Sequence, residues 1–182
     1  MASLRYVVTA LSLVCVAWAG TWSGAVPALK AQGSANPPQA KSVSPEELAR
    51  LMNAPETKLI LVDTREAAEF AVSRIRGARR VDPSTATKAF VQTLGAAAKG
   101  ATVVFYCTSG GRSAPYAQMA QEELRAAGAR SVAVLKGGII AWANESRPLV
   151  DAKGPTPYVH TYDAEMAKQL TRPEFARSQP RT

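Results

Sequence analysis

Thr102-Val103-Val104-Phe105-Tyr106-Cys107-Thr108-Ser109-Gly110-Gly111-Arg112-Ser113 is the stretch on which the fold turns. Its first five residues are β-branched or aromatic, the composition of a buried strand. Downstream, Ala117, Ala120, Leu124 and Ala127 recur at helical spacing, and Gly128 stands where it can stop the helix. Cys107 therefore sits where a strand runs out through a loop into a helix.

A thiol at that junction faces the free N–H groups and the positive end of the helix dipole, and Arg112 adds a full charge; each favours a thiolate. Gly110 and Gly111 free the backbone to turn its amides inward, so that Thr108, Ser109, Gly110, Gly111, Arg112 and Ser113 are expected to form an anion-holding nest. Ser113 is the expected N-cap, with Pro115 tolerated in the first turn. The competing reading, Cys107 as a small buried hydrophobe in an ordinary turn, loses ground to the glycines and the arginine beside it.

Leu59-Ile60-Leu61-Val62 and Val132-Ala133-Val134-Leu135 are two further continuous apolar runs. With Thr102 to Tyr106 they predict strands covered on both faces, hence a single α/β domain with a mostly parallel central sheet. Phe90, Leu94 and Ala97 mark a helix between two of the strands, and Ile139 to Ala143 start another after Gly138. Ser44-Pro45-Glu46-Glu47 predicts the first helix through a Ser N-cap, a Pro at the first position and a Glu three residues after the cap, with Leu48, Leu51 and Met52 on its buried side. Asp63 with Arg65, Cys107 and Gly137 all fall just past strand ends, the edge where open α/β sheets bind ligands.

The loop Cys107-x-x-Gly110-x-Arg112-Ser113 resembles the active-site loop of the rhodanese family, the sulfurtransferases. Three further segments fit the same family in the same order: Val62-Asp63-Thr64-Arg65 with Glu69-Phe70, Ile75-Arg76-Gly77-Ala78, and Gly137-Gly138-Ile139-Ile140-Ala141-Trp142. The resemblance spans residues 44 to 148 and implies a rhodanese-like fold, Cys107 as the catalytic residue, loop residues 108–113 as the substrate cradle, and Asp63 with Arg65 as an ion pair supporting that loop. Arg74 stands where the family often has His, which alters the charge beside the site. Related phosphatases and arsenate reductases place five residues between Cys and Arg; this chain has four, Thr108 to Gly111, the narrower cradle that the resemblance associates with a transferred sulfur atom.

The chain has 182 residues, enough for one domain with tails. Residues 1–25 read as a signal peptide: a basic lead to Arg5, an apolar run from Tyr6 to Ala19, and small residues through Ala25, with cleavage after Ala19 or Ala25. The alternative is an uncleaved membrane anchor over residues 6–26. Residues 26–43 then form a flexible linker, 44–150 the domain, and 151–182 a tail with a short helix near Asp163 to Leu170. An exported protein, periplasmic or secreted if bacterial, that keeps Cys107 as its one thiol after losing Cys15 has no internal resolving cysteine.

His160, the single histidine, reads as a solvated tail residue. Arg74, Arg76, Arg79 and Arg80 read first as a solvated face, with a positive field that draws anions to the loop as the alternative. Nucleic acid is disfavoured because a net charge of +8 is modest for this length and no binding motif is present. One Cys and one His in the mature chain cannot build a zinc cluster, and neither a phosphate loop nor a dinucleotide fingerprint occurs, so no metal or cofactor is expected. The expected activity is sulfur transfer from a small anionic thiosulfate-like donor, through a Cys107 persulfide, to cyanide or an external thiol or protein acceptor. The alternative is a non-enzymatic persulfide carrier or partner-binding module in a sulfur-oxidation or redox assembly.

Overall fold

The apolar runs become the strands of one sheet in a computed structural model that describes residues 40–181. The expected signal peptide and nearly all of the expected linker lie outside the described residues. In chain order the elements are β1 (Lys41–Val43), α1 (Pro45–Asn53), β2 (Leu59–Asp63), α2 (Ala67–Val72), β3 (Arg74–Ile75), β4 (Arg79–Arg80), α3 (Thr87–Leu94), β5 (Thr102–Tyr106), α4 (Ser113–Ala126), β6 (Ser131–Leu135), α5 (Gly138–Asn144), β7 (Leu149–Asp151), β8 (Gly154–Thr156) and α6 (Ala164–Ala167). The sheet runs β1-β6-β5-β2-β4 with every neighbouring pair parallel, and β3, β7 and β8 form a separate small antiparallel sheet.

Alternation along the central strands divides their side chains between two cores. Ile60, Val62, Val103, Phe105, Val132 and Val134 pack against α3 and α4 through residues such as Phe90, Leu94, Tyr116 and Leu124. Leu61, Val104, Tyr106, Ala133 and Leu135 pack on the other side with Leu48 of α1 and Ile139, Ile140 and Trp142 of α5. A continuous apolar strand is thus what a sheet with helices on both faces requires, and each fully buried Leu, Ile or Val contributes about 1.5–3 kcal/mol.

Helix α1 begins as expected: Glu47 N–H donates to Ser44 Oγ at 3.1 Å, and Ser44 N–H donates to the Glu47 carboxylate at 2.7 Å. The helix predicted through Ala97 ends earlier, at Leu94. Gly95 takes a φ of 51°, and Gly95–Ala98 tighten into a 3₁₀ turn. Gly128 ends α4 at a φ of 84°, with its N–H on the Arg125 carbonyl at 2.9 Å.

Both expected domain boundaries shift. Strand β1 precedes residue 44 and pairs with β6, and a boundary at 150 would cut β7. Residues 151–181 are built into the domain instead of trailing from it. Val159 and Leu170 join the second core, β8 pairs with β7, and Val159 bridges to Ala176. Arg181 closes the segment on buried Asp151 through two hydrogen bonds of 2.6 and 2.7 Å. The segment's apolar residues are too widely spaced to form a stripe, which is why its sequence reads as a tail. The short helix is α6, capped by Asp163, which accepts from Met166 N–H at 2.7 Å. No helix among the described residues is long and apolar enough to cross a membrane.

Candidate active site

Cys107 follows β5 directly, at the carboxyl edge of the sheet, and is 1% exposed. Its Sγ accepts a hydrogen bond from Gly110 N–H at 3.1 Å. Gly110 adopts a φ of 111°, open to glycine but strained for a side chain, and this turns its amide back onto the sulfur. The N–H groups of Ser109, Gly111, Arg112 and Ser113 have no backbone partner among the described residues. The loop therefore leaves four backbone amides without a backbone acceptor at the start of a 14-residue helix.

Ser113 is not the N-cap. Arg112 holds that position, and the Ser113 hydroxyl, buried as the first helical residue, donates to the Gly110 carbonyl at 3.2 Å. The hydroxyl thus fixes the turn and leaves the helix amides unoccupied.

Arg112 and Thr108 face Glu69 of α2. Arg112 Nη1 and Nη2 each lie 2.7 Å from a Glu69 carboxylate oxygen, and Thr108 Oγ1 donates to Glu69 Oε1 at 2.9 Å. Arg112 Nη2 also donates to Thr108 Oγ1 at 2.7 Å, closing a triangle of three side chains. Burial alone would raise the Glu69 pKa; hydrogen bonds from Arg112, from Glu66 N–H and from Thr108 outweigh it and hold the carboxyl below its ordinary value. The same bonds to Glu69 raise the Arg112 pKa. Both Nη groups are thus engaged in bracing the loop, where the sequence reading made Arg112 and Thr108 part of the substrate cradle.

Asp63 and Arg65 form a fully buried ion pair, with Arg65 Nη2 2.6 Å from Asp63 Oδ2 and Nε 2.9 Å from Oδ1. Arg65 also donates to the Ser73 carbonyl at 2.7 Å, and its guanidinium lies 5.7 Å from the centre of the Tyr106 ring. The pair ties the end of β2 to the turn into β3, beneath the residue that precedes Cys107. Burial, then the Asp63 charge, push the Tyr106 phenol well above its usual pKa, and its oxygen accepts from Ile75 N–H at 3.2 Å.

Helix α5 holds the loop from the opposite side. Ile139 N–H donates to the Cys107 carbonyl at 2.9 Å and Ile140 N–H to that of Thr108 at 3.2 Å. Gly138, at a φ of 58°, lies so close that a Cβ there would come within 2.5 Å of the Thr108 carbonyl oxygen and nearer still to that of Cys107. A cleft of about 410 Å³ adjoins the loop, bordered by Gly110, Pro115, Gln118, Lys136 and Gly137. Among the described residues no three His, Cys, Asp or Glu side chains are grouped to hold a metal ion.

A family model for the rhodanese-like domain matches residues 44–145. The chain belongs to the rhodanese-like family. It is 32% identical over 117 residues to an uncharacterized protein of Synechocystis sp., covering 62% of this chain and 57% of that one. It is 30% identical over 118 residues to the probable adenylyltransferase/sulfurtransferase MoeZ of Mycobacterium tuberculosis, covering 65% of this chain and 28% of MoeZ. The matches thus span just over half of one curated relative and little more than a quarter of the other. A crystal structure of thiosulfate sulfurtransferase from Pseudomonas aeruginosa superposes with a TM-score of 0.50 at 21% identity, over 74% of this chain and 24% of that one, a likeness of fold.

The rhodanese-like loop, the Asp63–Arg65 pair and the Gly137-Gly138 turn come together as the sequence places them. Glu69 appears in the sequence only as half of a Glu-Phe signature, and its being the one charged residue within the otherwise apolar α2 was the available signal of a buried partner. His160 departs from expectation. It is half-buried, and burial lowers its pKa against the opposing charge of Glu69, with the charges of Arg65 and Arg112 adding to the lowering. The segment beyond the rhodanese-like match thus brings the single histidine into the field of the loop's bracing residues.

Proposed function

We propose that this protein is a sulfurtransferase in which Cys107 carries the sulfur. The observation that carries the reading is the Gly110 N–H directed at Cys107 Sγ at 3.1 Å, with further loop amides free around it. A thiolate sulfur attacks the outer sulfur of thiosulfate. The sulfur–sulfur bond of the donor breaks, its electron pair leaves on sulfite, and Cys107 holds a persulfide whose terminal charge faces the amides. Attack by cyanide or an external thiol on that terminal sulfur returns the thiolate. The cleft beside Gly110, with Lys136 on its rim, is a route for a small anion to reach the loop. The test is thiosulfate-to-cyanide transfer by the purified protein, with a Cys107 peptide one sulfur heavier by mass spectrometry after donor alone. Cys107→Ser should lose both. If the wild-type protein forms neither thiocyanate nor the heavier peptide, the reading is wrong.

A second reading, a persulfide carrier loaded by a partner protein, is favoured by one observation: Cys107 is only 1% exposed. Loading that requires a partner protein, with negligible turnover on small donors, would favour the carrier. In either reading we place the protein outside the cytoplasm, on the strength of residues 1–25. Cell fractionation that recovers it in the cytoplasm at its full length would overturn that placement.

A further inference from the structure

Six arginine–aromatic stacks are present among the described residues, and one of them joins the C-terminal segment to the Cys107 loop. The Tyr162 ring centre lies 5.0 Å from the Arg112 guanidinium carbon. Tyr162 comes from the segment beyond the family-matched residues 44–145, on a tight turn between His160 and Asp163. Tyr162 and Ser146 are the two non-glycine residues among those described with positive φ, and Tyr162 stands at 72°. An aromatic residue there is strained and persists only where its surroundings over-determine it.

The surroundings do so. Tyr162 N–H donates to His160 Nδ1 at 3.0 Å, Asp163 N–H to the Thr161 carbonyl at 2.9 Å, and Asp163 caps α6. Val159 and Thr161 on the near side of the turn are buried, yet Tyr162 as a residue stays 61% exposed. A strained backbone that leaves a large ring largely in solvent finds its return in the face it offers to Arg112.

We propose that Tyr162 is a positioning residue for the Cys107 site: its ring, aimed by the His160 turn, keeps Arg112 folded onto Glu69 and Thr108 and so keeps the sulfur cradle formed. Arg112 is the N-cap residue of α4, and its side chain retains 30% exposure beside the Glu69 pair. Stacking on the exposed part limits competition from water, and half-exposed stacks of this kind shift an equilibrium about two- to five-fold. Loosening Arg112 loosens Thr108, the residue after Cys107, and with it the loop that holds the thiol buried.

The kinetic part of this inference rests on the sulfurtransferase reading, and its chemical part does not. In the full chain, Tyr162→Ala should raise the rate at which iodoacetamide labels Cys107, read by peptide mass spectrometry, about two- to five-fold while the thermal midpoint stays unchanged. The same variant should lower kcat for thiosulfate-to-cyanide transfer by a similar factor with little change in KM. Tyr162→Phe, which keeps the ring, should return both towards wild type, and Tyr162→Leu should not. Wild-type labelling in Tyr162→Ala, or equal recovery with Leu and Phe, overturns the proposal. If no variant transfers sulfur, wild type included, the sulfurtransferase reading falls and the labelling rates still decide the role of Tyr162.

Discussion

The amide of Ile139 donates to the carbonyl oxygen of Cys107 at 2.9 Å, so the first turn of α5 clamps the backbone of Cys107 from across the sheet edge. The approach depends on Gly138, which has no room for a side chain and sits at positive φ. Gly138→Ala should destabilise the protein by about 2 kcal/mol or more and displace the loop enough to abolish sulfur transfer. Chemical unfolding and the thiosulfate-to-cyanide assay measure the two effects. An alanine variant of normal stability and activity would mean that the clamp does not position the loop.

Asp63 and Arg65 are a pair whose value lies in staying together. Asp63→Asn leaves the Arg65 charge buried without its counterion, a loss of about 3–5 kcal/mol, whereas Asp63→Leu with Arg65→Met removes both charges and should recover much of it. Urea unfolding of the three proteins compares them. A double variant less stable than Asp63→Asn would show that the polar network itself is required.

Acid should weaken the two bracing carboxylates. Hydrogen bonds from Arg181 bring Asp151 down to about 2, and those to Glu69 hold it below the ordinary carboxyl value. Because the unfolded chain then takes up protons at higher pH than the folded one, the stability these groups contribute is complete above the unfolded carboxyl pKa. It is lost as pH falls through the folded values. The thermal midpoint should therefore drop from about pH 5 down to about pH 2, and Glu69→Gln should flatten part of that drop. An unchanged slope in the variant would remove Glu69 from the acid response.

The loop and the strands on either side of it were legible because their signals are local. A β-branched run, two glycines and a helical spacing lie within one stretch, and the capping box of α1 is complete in four residues. The Glu69–Arg112 pair was not, because its partners are 43 residues apart and meet only once α2 and α4 are placed on the sheet. Ser113 has the right chemistry for a cap, yet the turn at Gly110 starts the helix one residue early and gives its hydroxyl a different acceptor. Segment 151–181 hid its core contacts because Val159 and Leu170 are isolated apolar residues that pack by tertiary placement, with no periodicity to betray them.

Deleting residues 152–182 should uncover the second core. Val159 is fully buried and Leu170 is 6% exposed, so the truncated protein should lose about 3 kcal/mol or more and gain affinity for an apolar dye. Calorimetry and dye fluorescence are the measurements. Undiminished stability would show that the segment merely rests on a self-sufficient domain.

That dependence also imposes an order on synthesis. A ribosome delivers the face formed with α3 and α4 well before Val159 and Leu170 emerge, so the nascent chain carries one finished side and one open, greasy side. Any factor that guards this protein on its way to maturity has that unfinished side to recognise, for the interval between the making of α5 and the arrival of Val159 and Leu170.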